Sequence, residues 1–91
     1  MTYTIIYPQS YMKRATVFAK KHPDLLKQYA KTLQLLELNP LHPSLRLHPL
    51  AGKLHGLHSV SITSRYRITL ELIIHEQNII LVNVGTHEDG Y

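Results

Sequence analysis

Ninety-one residues, 44% of them hydrophobic and 18% charged, describe one folded domain spanning 1–91 with a modest core, and exclude a disordered tail protein. The chain has no cysteine, which rules out a disulfide framework, a thiol nucleophile and a thiolate metal site. A formal charge of +4, a pI near 9.5 and seven histidines favour an acidic partner, while no run approaches the eighteen or so apolar residues of a membrane span. Met1 to Tyr7 is too short and polar for a signal peptide, so a cytoplasmic location is expected.

Thr2 to Tyr7 alternates in polarity and is rich in β-favouring types, predicting a first strand ended by Pro8. From Ser10 to Lys21, Tyr11, Met12, Ala15, Phe18 and Ala19 recur at three and four, the spacing of an amphipathic helix. His22-Pro23 closes it, because the residue before proline avoids the α region. Asp24 is placed to cap a second helix with an apolar stripe of Leu25, Leu26, Tyr29, Ala30, Leu33 and Leu36, and Asn39-Pro40 stops it. The short connection predicts a helical hairpin.

Pro40 to Gly56 holds three prolines and two glycines and reads as a long irregular loop, a frequent seat of function. Ser59 to Thr63 and Tyr66 to Leu72 then alternate strictly and predict two strands joined by a polar turn. One face carries Val60, Ile62, Tyr66, Ile68, Leu70 and Leu72; the other carries Ser61, Arg65 or Arg67, Thr69 and Glu71. A turn at His75 to Asn78 precedes a last strand from Ile79 to Val84. There Ile80, Val82 and Val84 are expected on one face and Ile79, Leu81 and Asn83 on the other. The order β-α-α-β-β-β defines an α+β domain, a helical hairpin on one face of a mainly antiparallel sheet.

Charge is distributed unevenly. The 33 residues from 38 to 70 contain no carboxylate but hold Arg46, Lys53, Arg65, Arg67 and four histidines, a local field suited to phosphate. No P-loop, GxGxxG or HExxH motif occurs, and His55 and His58, three apart in a loop without carboxylates, form no recognised zinc pair, so neither metal nor cofactor is expected. Histidine, arginine and hydroxyls suit metal-free cleavage of RNA by its own 2′-hydroxyl. Arg67, mid-strand on the polar face, can aim its fork at a phosphate or form a cross-strand ion pair with Glu71 or Glu88. His48 in the basic loop and His87 after Gly85-Thr86 are either titratable catalytic groups or loop and tail histidines. Tyr91 either stacks on a base or frays.

The segments HPLAGKLHG, SVSITSRYRITLEL and GTHEDGY, in that order, resemble the RelE/ParE toxin superfamily, nearest its RelE/StbE branch with YafQ-like members. The resemblance implies the toxin of a type II toxin-antitoxin system: a ribosome-dependent mRNA endoribonuclease, free of metal, blocked by a cognate antitoxin and meeting operator DNA through the antitoxin complex. It implies catalytic roles for His48, Arg67 and His87, with base and acid unassigned. Tyr91 matches the aromatic that ends related chains and Tyr66 falls where YafQ-like members have a tryptophan beside the site, so both are expected to position the base, while Lys53 and Arg65 of the basic stretch are expected to contact the RNA backbone. Two positions depart from the YafQ-like pattern: Ser61 stands where a histidine is usual and Arg65 where an aspartate is usual, and His58 is an additional candidate. Alternatives are a ParE-like DNA gyrase inhibitor and an antitoxin-binding module that has lost its chemistry.

Overall fold

The computed structural model describes residues 2–86. Strand β1 (Thr4–Ile6) is shorter than its alternating sequence. The Tyr3 amide is already engaged, donating to the Glu37 carbonyl at 2.7 Å. Helix α1 (Gln9–Lys21) begins directly after extended Pro8 and ends at His22, with Lys20 and Lys21 in its last turn, where cations complement the helix dipole. Tyr11 and Phe18, two turns apart, are its buried residues; Met12 stays exposed.

Asp24 does not cap the second helix. Pro23 starts a 3-10 turn, Pro23–Leu25, that takes in Asp24, and α2 (Leu26–Leu38) follows from Leu25 without a side-chain cap. The apolar stripe of α2 is narrower than expected: Leu26 is exposed, while Leu36 and Thr32 are buried. Burial of Thr32 is compatible with its hydroxyl because Oγ1 donates to the Gln28 carbonyl at 2.8 Å. The Tyr11 and Tyr29 hydroxyls, 2.7 Å apart, tie the two helices together, and the Phe18 ring lies 5.8 Å from that of Tyr29.

The 40–56 segment is more ordered than its composition implies. It contains 3-10 turns at Pro43–Leu45 and Gly52–Leu54 and a two-residue strand, β2 (His48–Pro49). β2 pairs antiparallel with β3 (His58–Ser61), His48 opposite Ser59 and Pro49 opposite His58. Proline lacks an amide and is tolerated at such an edge. The intervening loop closes through the Leu50 amide on the Leu57 carbonyl at 2.9 Å, with Gly56 at φ 98°, a conformation open to glycine.

With β4 (Tyr66–Ile73) and β5 (Asn78–Thr86), the sheet has five strands in the order β1-β5-β4-β3-β2. β3, β4 and β5 form the expected antiparallel meander, and β1 joins β5 in parallel. The core lies between helices and sheet: Tyr11, Phe18 and Leu36 meet Val60, Ile62, Ile68, Leu70, Ile79, Leu81 and Val84, with Leu45 added from the loop.

Alternation along β5 breaks once. Thr69 pairs with Asn83 but Leu70 pairs with Leu81, so Val82 has no opposite number and forms a β-bulge. Val84 therefore shares the core face with Leu81 and Ile79 rather than with Ile80 and Val82, correcting the strict two-residue period. The Val82 carbonyl accepts from Arg14 Nη1 of α1 at 3.1 Å, which satisfies an acceptor at the break in the ladder.

Candidate functional site

Away from the helices, the sheet presents two cross-strand rows. His48, Ser59, Thr69 and Asn83 are aligned across β2, β3, β4 and β5, and beside them Ser61, Arg67 and Gly85 across β3, β4 and β5. The first row is closed at its centre, with Ser59 and Thr69 buried. The second is more open: Ser61 and Arg67 are half-buried, and Gly85 offers no side chain to crowd the guanidinium.

Across these rows the Arg67 Nη1 donates to His48 Nε2 at 3.3 Å. The other imidazole nitrogen, Nδ1, lies 3.0 Å from the Arg46 carbonyl. A carbonyl can only accept, so this contact assigns the His48 proton to Nδ1 and leaves a lone pair on Nε2, where a general base needs it. Arg46 supplies that carbonyl from a left-handed conformation, φ 51° and ψ 46°, uncommon outside glycine, asparagine and aspartate. The turn Pro43–Leu45 sets it there, the Arg46 amide returning to the Pro43 carbonyl at 3.2 Å.

Of the two ion-pair partners weighed for Arg67, Glu71 stands four residues along the same strand, roughly 13 Å away at about 3.3 Å per residue, and Glu88 lies outside the described residues. His87 and Tyr91 also lie outside them. Lys53 is exposed on the Gly52–Leu54 turn. Arg65 is at the exposed tip of the β3–β4 turn, its guanidinium carbon 5.8 Å from the Tyr66 ring centre. Tyr66 itself is on the helix side, its ring 4.6 Å from His22 and 5.8 Å from Phe18, so strand alternation points it away from Arg67. His58 also takes the helix side, opposite Leu70, and its Nδ1 is buried without a partner. Ser61 does stand beside Arg67, as its cross-strand neighbour.

Sequence reasoning missed two features. Arg46, read only as part of the basic stretch, orients His48 through its backbone; no residue pattern announces a left-handed arginine. Lys13, Arg14 and Lys21 of α1, together with His22 at its end, line with Asn83 and Gly85 a concavity of about 500 Å³. That cleft reaches the strand residue opposite Arg67. Among the described residues no group of three or more metal-ligating side chains is gathered, and no helix is long and apolar enough to cross a membrane.

Two helices on a five-stranded mixed sheet form the same fold as solved YafQ-like and YoeB/ParE toxins. No protein-family model and no curated protein matches the chain. Among solved structures it is similar to YafQ from E. coli strain BL21(DE3), at 21% identity and a TM-score of 0.73, over 98% of this chain and 98% of that one. It is similar to the toxin in the E. coli DinJ-YafQ toxin-antitoxin complex at 21% identity and a TM-score of 0.77, over 98% and 97% of the two chains. A YoeB/ParE toxin from Agrobacterium tumefaciens aligns at 14% identity and a TM-score of 0.74, over 92% of this chain and 98% of that one.

Proposed function

We propose that this protein is the toxin of a type II toxin-antitoxin pair and an endoribonuclease that cuts mRNA on the ribosome, in the cytoplasm. The observation that carries the reading is the His48–Arg67 pair: an imidazole whose Nε2 lone pair faces a guanidinium at 3.3 Å while its Nδ1 is held at 3.0 Å by the Arg46 carbonyl. The similarity in fold to YafQ, YoeB/ParE and the toxin of the DinJ-YafQ complex supports it.

In the free protein Arg67 and His48 satisfy each other. A scissile phosphate draws the guanidinium onto its non-bridging oxygens, a charge-assisted and bidentate contact that outcompetes a neutral imidazole. Nε2 is thereby released. His48 then removes the proton of the 2′-hydroxyl, the 2′-oxygen attacks the adjacent phosphorus, and the bond to the 5′-oxygen breaks. Arg67 stabilises the charge that builds on the phosphorane. The departing oxygen takes a proton from an acid, the role we assign to His87, leaving a 2′,3′-cyclic phosphate and a 5′-hydroxyl. Every step is carried by a side chain, so the reaction as proposed uses no metal. Arg65 and Lys53 supply backbone contacts around the site, and Tyr91 stacks on a base. Tyr66, held against Phe18 and His22, supports that rim from the helix side.

The partner that silences the toxin is an antitoxin with acidic and apolar residues, folding onto the basic surface; operator DNA is reached through that complex. The test is cleavage of ribosome-bound message in a translation extract. Arg67→Ala and His48→Ala are each expected to lower the cleavage rate by about 10²-fold or more, with thermal melts showing folded protein. Undiminished cleavage by both variants would overturn the mechanism.

A further inference from the structure

Beside the catalytic pair lies a second, smaller concavity of about 180 Å³, lined by Ser44, Arg46, Ser61, Ile62, Thr63 and Ser64. It is built from two elements that meet there, the turn Pro43–Leu45 and the β3–β4 turn. Its chemistry is one cation and four hydroxyls, within the stretch that has no carboxylate from 38 to 70. The hydroxyls are not equivalent. Thr63 Oγ1 accepts from the amides of Arg65 and Tyr66, each at 3.2 Å, which leaves its O–H to donate outward. Ser44 Oγ contacts His42 Nδ1 at 2.8 Å, fixing the side chain at the rim. Ser61 and Ser64 have no hydrogen bond among the described residues that engages their hydroxyls. Donors surrounding a cation, with no acid to compete, recognise an oxyanion.

Position gives that oxyanion an identity. Ser61 is both a wall of this concavity and the cross-strand neighbour of Arg67, so the two anion-binding points are adjacent on one face, the order in which neighbouring phosphates of one nucleic-acid strand would meet them. Arg46 links them covalently: its carbonyl orients His48 and its own residue lines the second concavity, which gives a physical use for its left-handed backbone. Resting on the endoribonuclease reading, we propose that the Arg46 concavity is a second phosphate subsite. It takes the backbone phosphate next to the scissile one, so that single-stranded RNA is gripped at two consecutive linkages.

The experiment titrates isotope-labelled protein with a trinucleotide RNA whose riboses are 2′-O-methylated to block cleavage, following backbone amides by NMR. A second trinucleotide carries an uncharged methylphosphonate at one linkage. The expected result is movement of Ser44, Ser61, Thr63 and Ser64 together with His48 and Arg67. In Arg46→Gln the first group should fall silent, and the salt dependence of binding should flatten by about 0.7 in the log–log slope, one single-strand phosphate contact. The methylphosphonate should reproduce that flattening in the native protein and add nothing to Arg46→Gln. Shifts confined to His48 and Arg67, or an unchanged slope in Arg46→Gln, overturn the subsite and leave the nuclease reading standing. Shifts confined to the Arg46 concavity overturn the two-linkage grip. An absence of any shift overturns the subsite, and cleavage of ribosome-bound message by the native protein then decides the nuclease reading separately.

Discussion

His48 has both ring nitrogens committed, Nδ1 to a backbone carbonyl and Nε2 to Arg67, so its proton position is set by geometry rather than left to solvent. Substitution by glutamine preserves a polar group but cannot cycle a proton, and His48→Gln is expected to lose cleavage as fully as His48→Ala. Arg67→Lys keeps the charge and loses the planar fork; its cleavage in the translation extract should fall between native and Arg67→Ala. On the helix side of the sheet, burial is the first cause that raises the Tyr11 ionisation well above its ordinary range, with the Tyr29 hydroxyl adding to it. Burial also leads in raising Tyr29, against a lowering by its bond to Tyr11. Above about pH 10 an unfolded tyrosine gives up its proton while these two keep theirs. The folded state then binds more protons, and stability falls as pH rises. Denaturant midpoints measured from pH 8 to 11 should show this loss. Tyr11→Phe should make it shallower while lowering stability at neutral pH by about 1 kcal/mol, a Tm change of roughly 4–8 °C for a domain of this size.

At the scale of elements, the bulge in β5 decides which side of the strand is core. Uninterrupted alternation makes Val82 and Val84 equivalent; the bulge separates them, leaving Val84 7% exposed and Val82 half-buried. Val84→Ala should therefore cost about 2 kcal/mol, from two lost methyl groups and the cavity behind them, and Val82→Ala well under 1. Equal costs in urea titrations would restore the regular strand. The bulge also adds local twist just before Gly85, the residue opposite Arg67, so the strand end is turned where the chemistry is proposed. β2 works in the same sense: two paired residues are enough to move His48 out of a loop and into a sheet register where Arg67 can reach it.

For the molecule as a whole, the arrangement is one of division: helices, core and aromatic cluster lie on one side of the sheet, and the His48–Arg67 pair with Ser61 on the other. Induction without an antitoxin should arrest growth, and the arrest should disappear with Arg67→Ala. Arrest that persists in that variant would favour the gyrase reading, which a supercoiling assay then tests directly; the nuclease reading expects supercoiling to be unaffected. No arrest by the native protein would favour a binding module, the reading that Ser61 and Arg65 motivated.

Much of the fold was legible in the amino-acid order because it depends on local rules. Prolines 8, 23 and 40 bound the helices, Tyr11 and Phe18 mark a helical face, and alternation from Ser59 to Leu72 determines which side of β3 and β4 is apolar. Arg67 was identifiable on the same ground, as a polar residue in the middle of a regular strand. Most of what the order did not determine is non-local. The parallel docking of β1 on β5, the two-residue β2 and the bulge at Val82 each depend on a partner strand, and the left-handed Arg46 on a tight turn that carries no glycine or asparagine at that position; none leaves a period or a turn signature. The meeting of His48 and Arg67 is of that kind: nineteen residues separate them, and only the pairing of β2 with β3 and β3 with β4 brings an imidazole within reach of a guanidinium.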